Sequence, residues 1–510
     1  MKIRKLLRPR QSATENQSSV VKEQESPTKD SFRSLKDNID YISSELHHSH
    51  DLKVTHMDGN RQALLYFESL VDQEQIQNKI FIPLSNYSDR TIGQLPNRRG
   101  TTDLNDAIFA LLSGCAVFVQ EGNTEISVFV VTMSNNRNMS EPDTEKVLRG
   151  SHEGLVESVM ININLIRKRI QHRDLTVKYF RVGKKTNTNL AIMYMEGLVN
   201  PDVVKKIEDR IKHISADTII SPGYIEEMVE DNSLSPFPQM LNTERPDRGA
   251  ANVLEGRVIL LSEGSSTCLV FPVTFFTFYQ TPDDYNSRWI SGTFIRLIRL
   301  MSFLIAIGLP AFYIAVVGYH FEVIPDTLVI PIKSSINNIA YPPIVEALVM
   351  VIIIELIRES GIRLPSPVGQ TIGIVGGLVI GDAVVKAGLV SNLMVIVVAL
   401  TAIASFVVPS NELSTALRLL TFPLILLAST FGFLGIVFGF FGLLIHLCRL
   451  ESFGSPYFAP LAPLRVKDLK DTFIRLPLFM MDNRPKDAQP AKSNTGDTSR
   501  EWKKNGRSKK

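Results

Sequence analysis

Met301-Ser-Phe-Leu-Ile-Ala-Ile-Gly-Leu-Pro310-Ala-Phe-Tyr-Ile-Ala-Val-Val-Gly-Tyr319 runs for 19 residues without a charged side chain. At a rise of ~1.5 Å per residue it makes about 28 Å of helix, enough for a hydrocarbon layer of ~30 Å, with Pro310 as a tolerated kink. Arg296 and Arg299 precede it, and the excess of basic residues on the cytoplasmic side of membranes assigns that flank to the cytoplasm. Working outward, residues 291–448 carry only 14 charged side chains in 158 residues. Basic minus acidic residues come to −4 over 1–290, 0 over 291–448 and +7 over 449–510, which a chain average of +3 conceals. The sequence therefore reads as a large polar front, an apolar block and a basic tail.

Four more apolar runs follow in the block. Ile344–Ile357 is 14 residues long, contains Glu346 and Glu355, and reads as an oblique or half-membrane element. Val368–Val385 is glycine-rich and broken by Asp382, which lies four residues before Lys386 and so reads as its ion-pair partner. Leu393–Val408 ends at Pro409, and Leu419–Cys448 is long enough for one tilted helix or one kinked near Pro423. With both chain ends inside, five runs require one to be re-entrant, which gives four to six membrane segments. Gly369, Gly373, Gly376, Gly377 and Gly381 recur every three or four residues, as do Gly432, Gly435, Gly439 and Gly442. Such stripes let helices approach closely, and the first could instead face neighbouring copies or a pore.

The front is different. Residues 1–34 are basic and then rich in Gln, Ser, Glu and Lys, a composition that cannot bury enough apolar surface to offset ordering, so they read as a disordered tail. Helical and strand periods alternate from 35 to about 274, as at Val203–Ile214 for a helix and Leu175–Val182 for a strand. An internal repeat runs through this region. Ala63–Asp72 matches Ala191–Asn200 at an offset of 128. Leu112-Ser-Gly114, Glu121-Gly122 and Val131-Thr132 match Leu254-Glu-Gly256, Glu263-Gly264 and Val273-Thr274 at an offset of 142. In both copies the Glu-Gly pair separates alternating apolar runs, a hairpin signal. The division that follows is a tail at 1–34, α/β modules at 35–140 and 141–290, a helical membrane domain at 291–448 and a basic cytosolic tail at 449–510. The proline-rich link Ser235-Pro-Phe-Pro238 is expected to fasten the second module to the membrane part.

Cys115, Cys268 and Cys448 lie far apart, which excludes a disulfide framework and a paired-cysteine zinc site. The start MKIRKLLRPRQ lacks the apolar stretch of a secretory signal. No phosphate-binding loop, nucleophile elbow, zinc-protease helix or dinucleotide glycine fingerprint occurs, so no enzyme activity and no cofactor are expected. His47, His48 and His50 read as a solvated loop rather than metal ligands, and the basic end Lys503–Lys510 as a contact for anionic membrane lipid rather than nucleic acid.

The strings PSPVGQTIGIVGGLVIG (365–381), VVALTAIASFVVPSNEL (397–413) and YFAPLAPL (457–464) resemble the A subunits of GerA-type spore germination receptors. The likeness continues upstream through LRGSHEGLVESVMININLIRKRI (148–170), SPGYIEEMVEDNSLSPFPQ (221–239) and TERPD (243–247), and covers roughly residues 35–465. Ser151-His152 stands where that family usually has proline and a basic residue. The resemblance implies a multi-pass subunit of the spore inner membrane with its terminal regions on the cytoplasmic, core side. It further implies a transporter-like B subunit and a lipoprotein C subunit as partners, a homo-oligomer, and a nutrient-gated monovalent cation channel that triggers germination. A secondary transporter and a non-conducting scaffold are the alternatives.

Within that reading Glu346 and Glu355 are the candidates for attracting cations, because a charge near the bilayer centre costs roughly 2.5–3.5 kcal/mol and needs a purpose or a partner. Nine residues apart, they point to opposite sides of a helix. Each also has a plainer reading, Glu346 as a solvated mouth residue and Glu355 as a partner of Arg358. Val375 and Val379 are the candidates for an apolar constriction, with Gly376 and Gly377 allowing close approach.

Overall fold

A computed structural model describes residues 28–57, 59–83, 98–133, 141–142, 144–337, 339–363, 377, 381–466, 468–481 and 483–494. Most of the expected disordered tail, the basic end Lys503–Lys510, and Val375, Gly376 and Val379 lie outside the described residues. Residues 31–34 are already part of the fold, since the Ser31 amide donates to Thr102 O at 2.9 Å. The chain divides into two compact units, the first made of Met1–Ile42, Lys53–Phe67 and Val71–Met133, the second of Ser43–Leu52, Glu68–Leu70 and Ser134–Lys510.

The first sheet follows helix α1 (Leu35–Glu45). Its strands are β1 (Leu52–Met57), β2 (Gln62–Phe67), β3 (Arg98–Thr101), β4 (Cys115–Gln120) and β5 (Ile126–Val130), with helix α2 (Leu104–Leu112) between β3 and β4. They lie in the order β1-β2-β4-β5-β3, and the pairs β2–β4, β4–β5 and β5–β3 are antiparallel. Asp103 starts α2 by accepting from the Asn105 amide, the expected helix cap. Leu64, Ala116, Phe118 and Phe129 form the core on one face of the sheet.

The second α/β segment repeats this plan. Helix α3 (Val159–Arg169) precedes β6 (Leu175–Val182) and β7 (Thr188–Met195), and helices α4 (Pro201–Lys212) and α5 (Pro222–Val229) follow. Then come β8 (Leu241–Thr243), helix α6 (Pro246–Leu254), β9 (Val258–Ser262) and β10 (Cys268–Phe271). The order is β6-β7-β9-β10-β8, strand for strand the same as in the first sheet. The repeat extends to single hydrogen bonds. Glu121 Oε2 accepts from the Leu35 amide at the start of α1 at 2.6 Å, and Glu263 Oε2 from the Val159 amide at the start of α3 at 3.2 Å. Buried Asn38 bonds both ways to the backbone of Phe32, as buried Asn162 does to that of Val156. A carboxylate on a hairpin turn thus satisfies open amides at a helix start, where the helix dipole favours negative charge. β7, β9 and β10 are buried on both faces: Ala191, Met193, Ile259 and Leu261 join one core cluster, while Ile192, Tyr194, Val258 and Leu260 join another beneath α4 and α5.

The helical part comprises α7 (Trp289–Tyr319), α8 (Asp326–Asn337), α9 (Pro343–Arg363), α10 (Asn392–Val407), α11 (Asn411–Phe431) and α12 (Phe433–Arg449), with a short helix Gly381–Lys386 before α10. Helices α7 and α11 are long and apolar enough to cross a membrane, and α10 and α12 are shorter apolar helices. Three expectations change. First, α7 starts well before Met301, and Arg296 and Arg299 are buried within it rather than forming a basic flank, because Asp284 takes both guanidiniums at 2.9–3.0 Å. Second, the run at 344–357 does not end with its last apolar residue but lies within a helix that continues to Arg363, and both of its acids have protein partners. Third, Leu419–Cys448 is not one helix but two, and Pro423 lies inside the first of them. The run breaks at Gly432 (φ +59°, ψ −136°), a conformation left to glycine, and α12 returns against α11. Gly435 then lies so close to α11 that a Cβ on it would stand 1.9 Å from Leu427 O.

Candidate functional site

Polar groups inside the apolar helices must find partners, and here they gather in two clusters on α9. At its first turn Glu346 is 1% exposed. Its Oε1 accepts from the Ser391 amide at 2.6 Å and from Ser391 Oγ at 2.5 Å. That assigns the only hydroxyl proton of Ser391, so Tyr313 Oη on α7, 3.0 Å away, donates to Ser391 Oγ, as does the Met394 amide at the start of α10. Glu346 therefore ties α9 to the capped end of α10 and, through one hydroxyl, to α7. Its Oε2 is buried without a hydrogen-bond partner among the described residues.

About two and a half turns on, Glu355 Oε2 meets Arg418 Nη1 of α11 at 2.6 Å. Arg358, one turn further along α9, turns instead to α10: its Nη2 donates to Ser405 Oγ at 2.7 Å and its guanidinium lies 4.1 Å from the Phe406 ring centre. Between these side chains is a cavity lined also by Thr401 and Thr421. The nine-residue spacing of the two acids is visible in the result, Glu346 facing α10 and Glu355 facing α11.

Two further groups join the helices to the second α/β segment. Asp284, 1% exposed, holds Arg296 and Arg299, and Asp471 holds Arg296 and Tyr285 Oη. The link at 235–238 docks as expected: Ser235 Oγ and His446 Nε2 of α12 lie 2.8 Å apart, and the Phe237 ring packs on that imidazole. Near the start of α11, burial pushes the Glu226 carboxyl of α5 up to about 8, with Glu412 and Glu230 adding to the shift. At the departure noted at 151–152, Ser151 Oγ accepts from Arg169 Nη2 at 3.0 Å and His152 Nδ1 lies 2.9 Å from Glu141.

With this geometry in place, the family described as Bacillus/Clostridium GerA spore germination protein matches residues 40–487. The chain belongs to the GerA family. Among relatives from Bacillus subtilis (strain 168), the uncharacterized membrane protein YfkQ is 39% identical over 432 residues, 83% of this chain and 84% of that protein. Spore germination protein A1 is 39% identical over 430 residues, 83% of this chain and 88% of that protein. Among solved structures, the N-terminal domain of the A subunit of the Bacillus megaterium spore germinant receptor GerK3 is 27% identical, covers 49% of this chain and 99% of that one, and gives a TM-score of 0.38.

Of the pore candidates in this GerA-family chain, Glu346 and Glu355 sit on one helix with different partners, and Gly377 is exposed, with no atom of the described residues within 4 Å of a Cβ position. The sequence reading of this GerA-family chain anticipated the acids but not Ser391, Ser405 or Arg418. Arg418 is 63 residues from Glu355, and only the pairing of α9 with α11 brings them together.

Proposed function

We propose that this chain is the membrane-embedded A subunit of a spore germinant receptor, and that copies of it form a nutrient-gated monovalent cation channel. The observation that carries the channel part is the pair of acids on α9. Glu346, with one buried carboxylate oxygen that has no hydrogen-bond partner among the described residues, lies among α7, α9 and α10, and Glu355 lies where α9 meets α11. The exposed surface at Gly377 and the apolar side chains that a single chain leaves uncovered, such as Ile330, Ile362 and Phe441, support contacts with lipid and with further copies. Val375 and Val379 supply the apolar constriction, with Gly376 and Gly377 allowing close approach.

In this reading the helices are multi-pass, the α/β region and the C-terminal segment face the spore core, and a transporter-like B subunit and a lipoprotein C subunit complete the receptor. Nutrient binding opens the channel only by as much as it favours the open state over the closed one. The test is cation release from liposomes holding the chain with those partners. Release on addition of nutrient is expected; absence of release with insertion and assembly verified would reduce the chain to a scaffold.

A further inference from the structure

The cavity between Glu355, Arg358 and Arg418 has a charge imbalance. Four helices line it. From α9 come Glu355 and Arg358, from α11 Arg418, and from α10 and α7 only uncharged side chains, among them Thr401, Ser405 and Ala306. Glu355 is taken by Arg418, whose Nε and Nη2 donate to Ser414 O and Thr415 Oγ1. Arg358 has no carboxylate within ion-pair distance among the described residues, and its Nε is buried without a hydrogen-bond partner. The lining hydroxyls are neutral and cannot balance that charge: Ser405 Oγ accepts from Arg358 Nη2, and the protons of Ser405, Thr401 and Thr421 go to backbone carbonyls. One guanidinium, half-buried and stacked on Phe406, is thus left without a carboxylate among the described residues, and inside a membrane an unpaired charge is costly. The free space is about 20 Å³, room for one particle of roughly water size.

We infer that this cavity binds a single halide-sized anion, chloride in the cell, held by Arg358 and balancing its charge. The inference rests on the membrane-embedded part of the reading above, which sets the low dielectric, and not on conduction. The test is thermal unfolding of the full chain in nanodiscs of uncharged phosphatidylcholine, in potassium chloride, bromide or gluconate at equal ionic strength. Above the dissociation constant, each tenfold rise in chloride at fixed ionic strength should raise the folded-to-unfolded ratio about tenfold. Arg358→Gln should abolish this dependence. Glu355→Gln, which raises the net charge of the cavity, should strengthen it and provides a readout of opposite sign should Arg358→Gln not fold. A bromide anomalous peak beside Arg358 would place the ion directly.

Equal stability in chloride and gluconate would overturn the inference, as would a chloride effect unchanged in Arg358→Gln. Stabilisation by added phosphatidylglycerol in place of chloride would assign the position to a lipid phosphate and also overturn it. A chain that stays soluble without detergent or lipid would instead contradict the membrane reading itself.

Discussion

Arg167 and Asp51 are 116 residues apart in sequence, yet Nε meets Oδ2 at 2.6 Å and Nη2 meets Oδ1 at 2.8 Å, with both side chains at or below 1% exposure. Ser49 and Ser69 complete the shell around the carboxylate. Removing one member of such a pair strands a buried charge, so Arg167→Met should cost about 3–5 kcal/mol in chemical denaturation, and a second change of Asp51 to Leu should recover part of it. Neither residue stood out in the sequence. His47, His48 and His50 drew attention instead, and they flank the turn that delivers Ser49 and Asp51. A contact that depends on two distant segments meeting has no local pattern to read. Glu226 gives a pH prediction. Its raised value, about 8 against 4.5, keeps it neutral in the folded chain while the unfolded chain ionises, so the folded state holds more protons and stability falls as pH rises from about 4.5 to 8. Glu226→Gln should therefore gain on the order of 1–2 kcal/mol over wild type at pH 8 after solvent screening, and nothing at pH 4.

At the scale of elements, periodicity carried far where it was strong. Strand β6 spans Leu175–Val182 as read from its alternation, and the offsets of 128 and 142 reappear as equivalent strands in two sheets of identical order. The helix expected at Val203–Ile214 starts two residues earlier, because Asn200 caps it and Pro201 suits its first turn. What the pattern could not separate was a glycine that packs from a glycine that turns. Gly432 has the same spacing as Gly435, Gly439 and Gly442, yet it ends one helix and begins the next. Gly435→Ala should destabilise the α11–α12 hairpin by about 3 kcal/mol or more, since its Cβ would meet backbone that cannot move aside. Gly442→Ala, with nothing within 4 Å of its Cβ among the described residues, should instead gain about 0.5–1 kcal/mol from helix propensity. Denaturation of both variants in detergent checks the contrast, and equal effects would mean that the two helices do not close on each other.

For the whole molecule, the contrast between a polar front and an apolar block is legible from charge counts alone, and the two helices long and apolar enough to cross a membrane lie in or overlap that block. The candidate site was legible in half. Two acids within one apolar run were bound to be noticed, because their cost demands an explanation. Their partners were hidden, since Ser391, Ser405 and Arg418 acquire meaning only when α9, α10 and α11 assemble. These partners also change the design of the experiment. Truncating Glu355 strands Arg418, so an amide at each acid position is a better probe of charge than alanine.

The most direct measurement is monovalent cation flux from liposomes containing the chain with its receptor partners, before and after nutrient, for wild type and for the Glu346→Gln, Glu355→Gln double variant. Nutrient should raise flux in the wild type, and flux should fall by tenfold or more in the double variant while assembly is intact. Equal nutrient-triggered flux in both proteins would remove the two acids from the ion path, and no flux in either would contradict the channel.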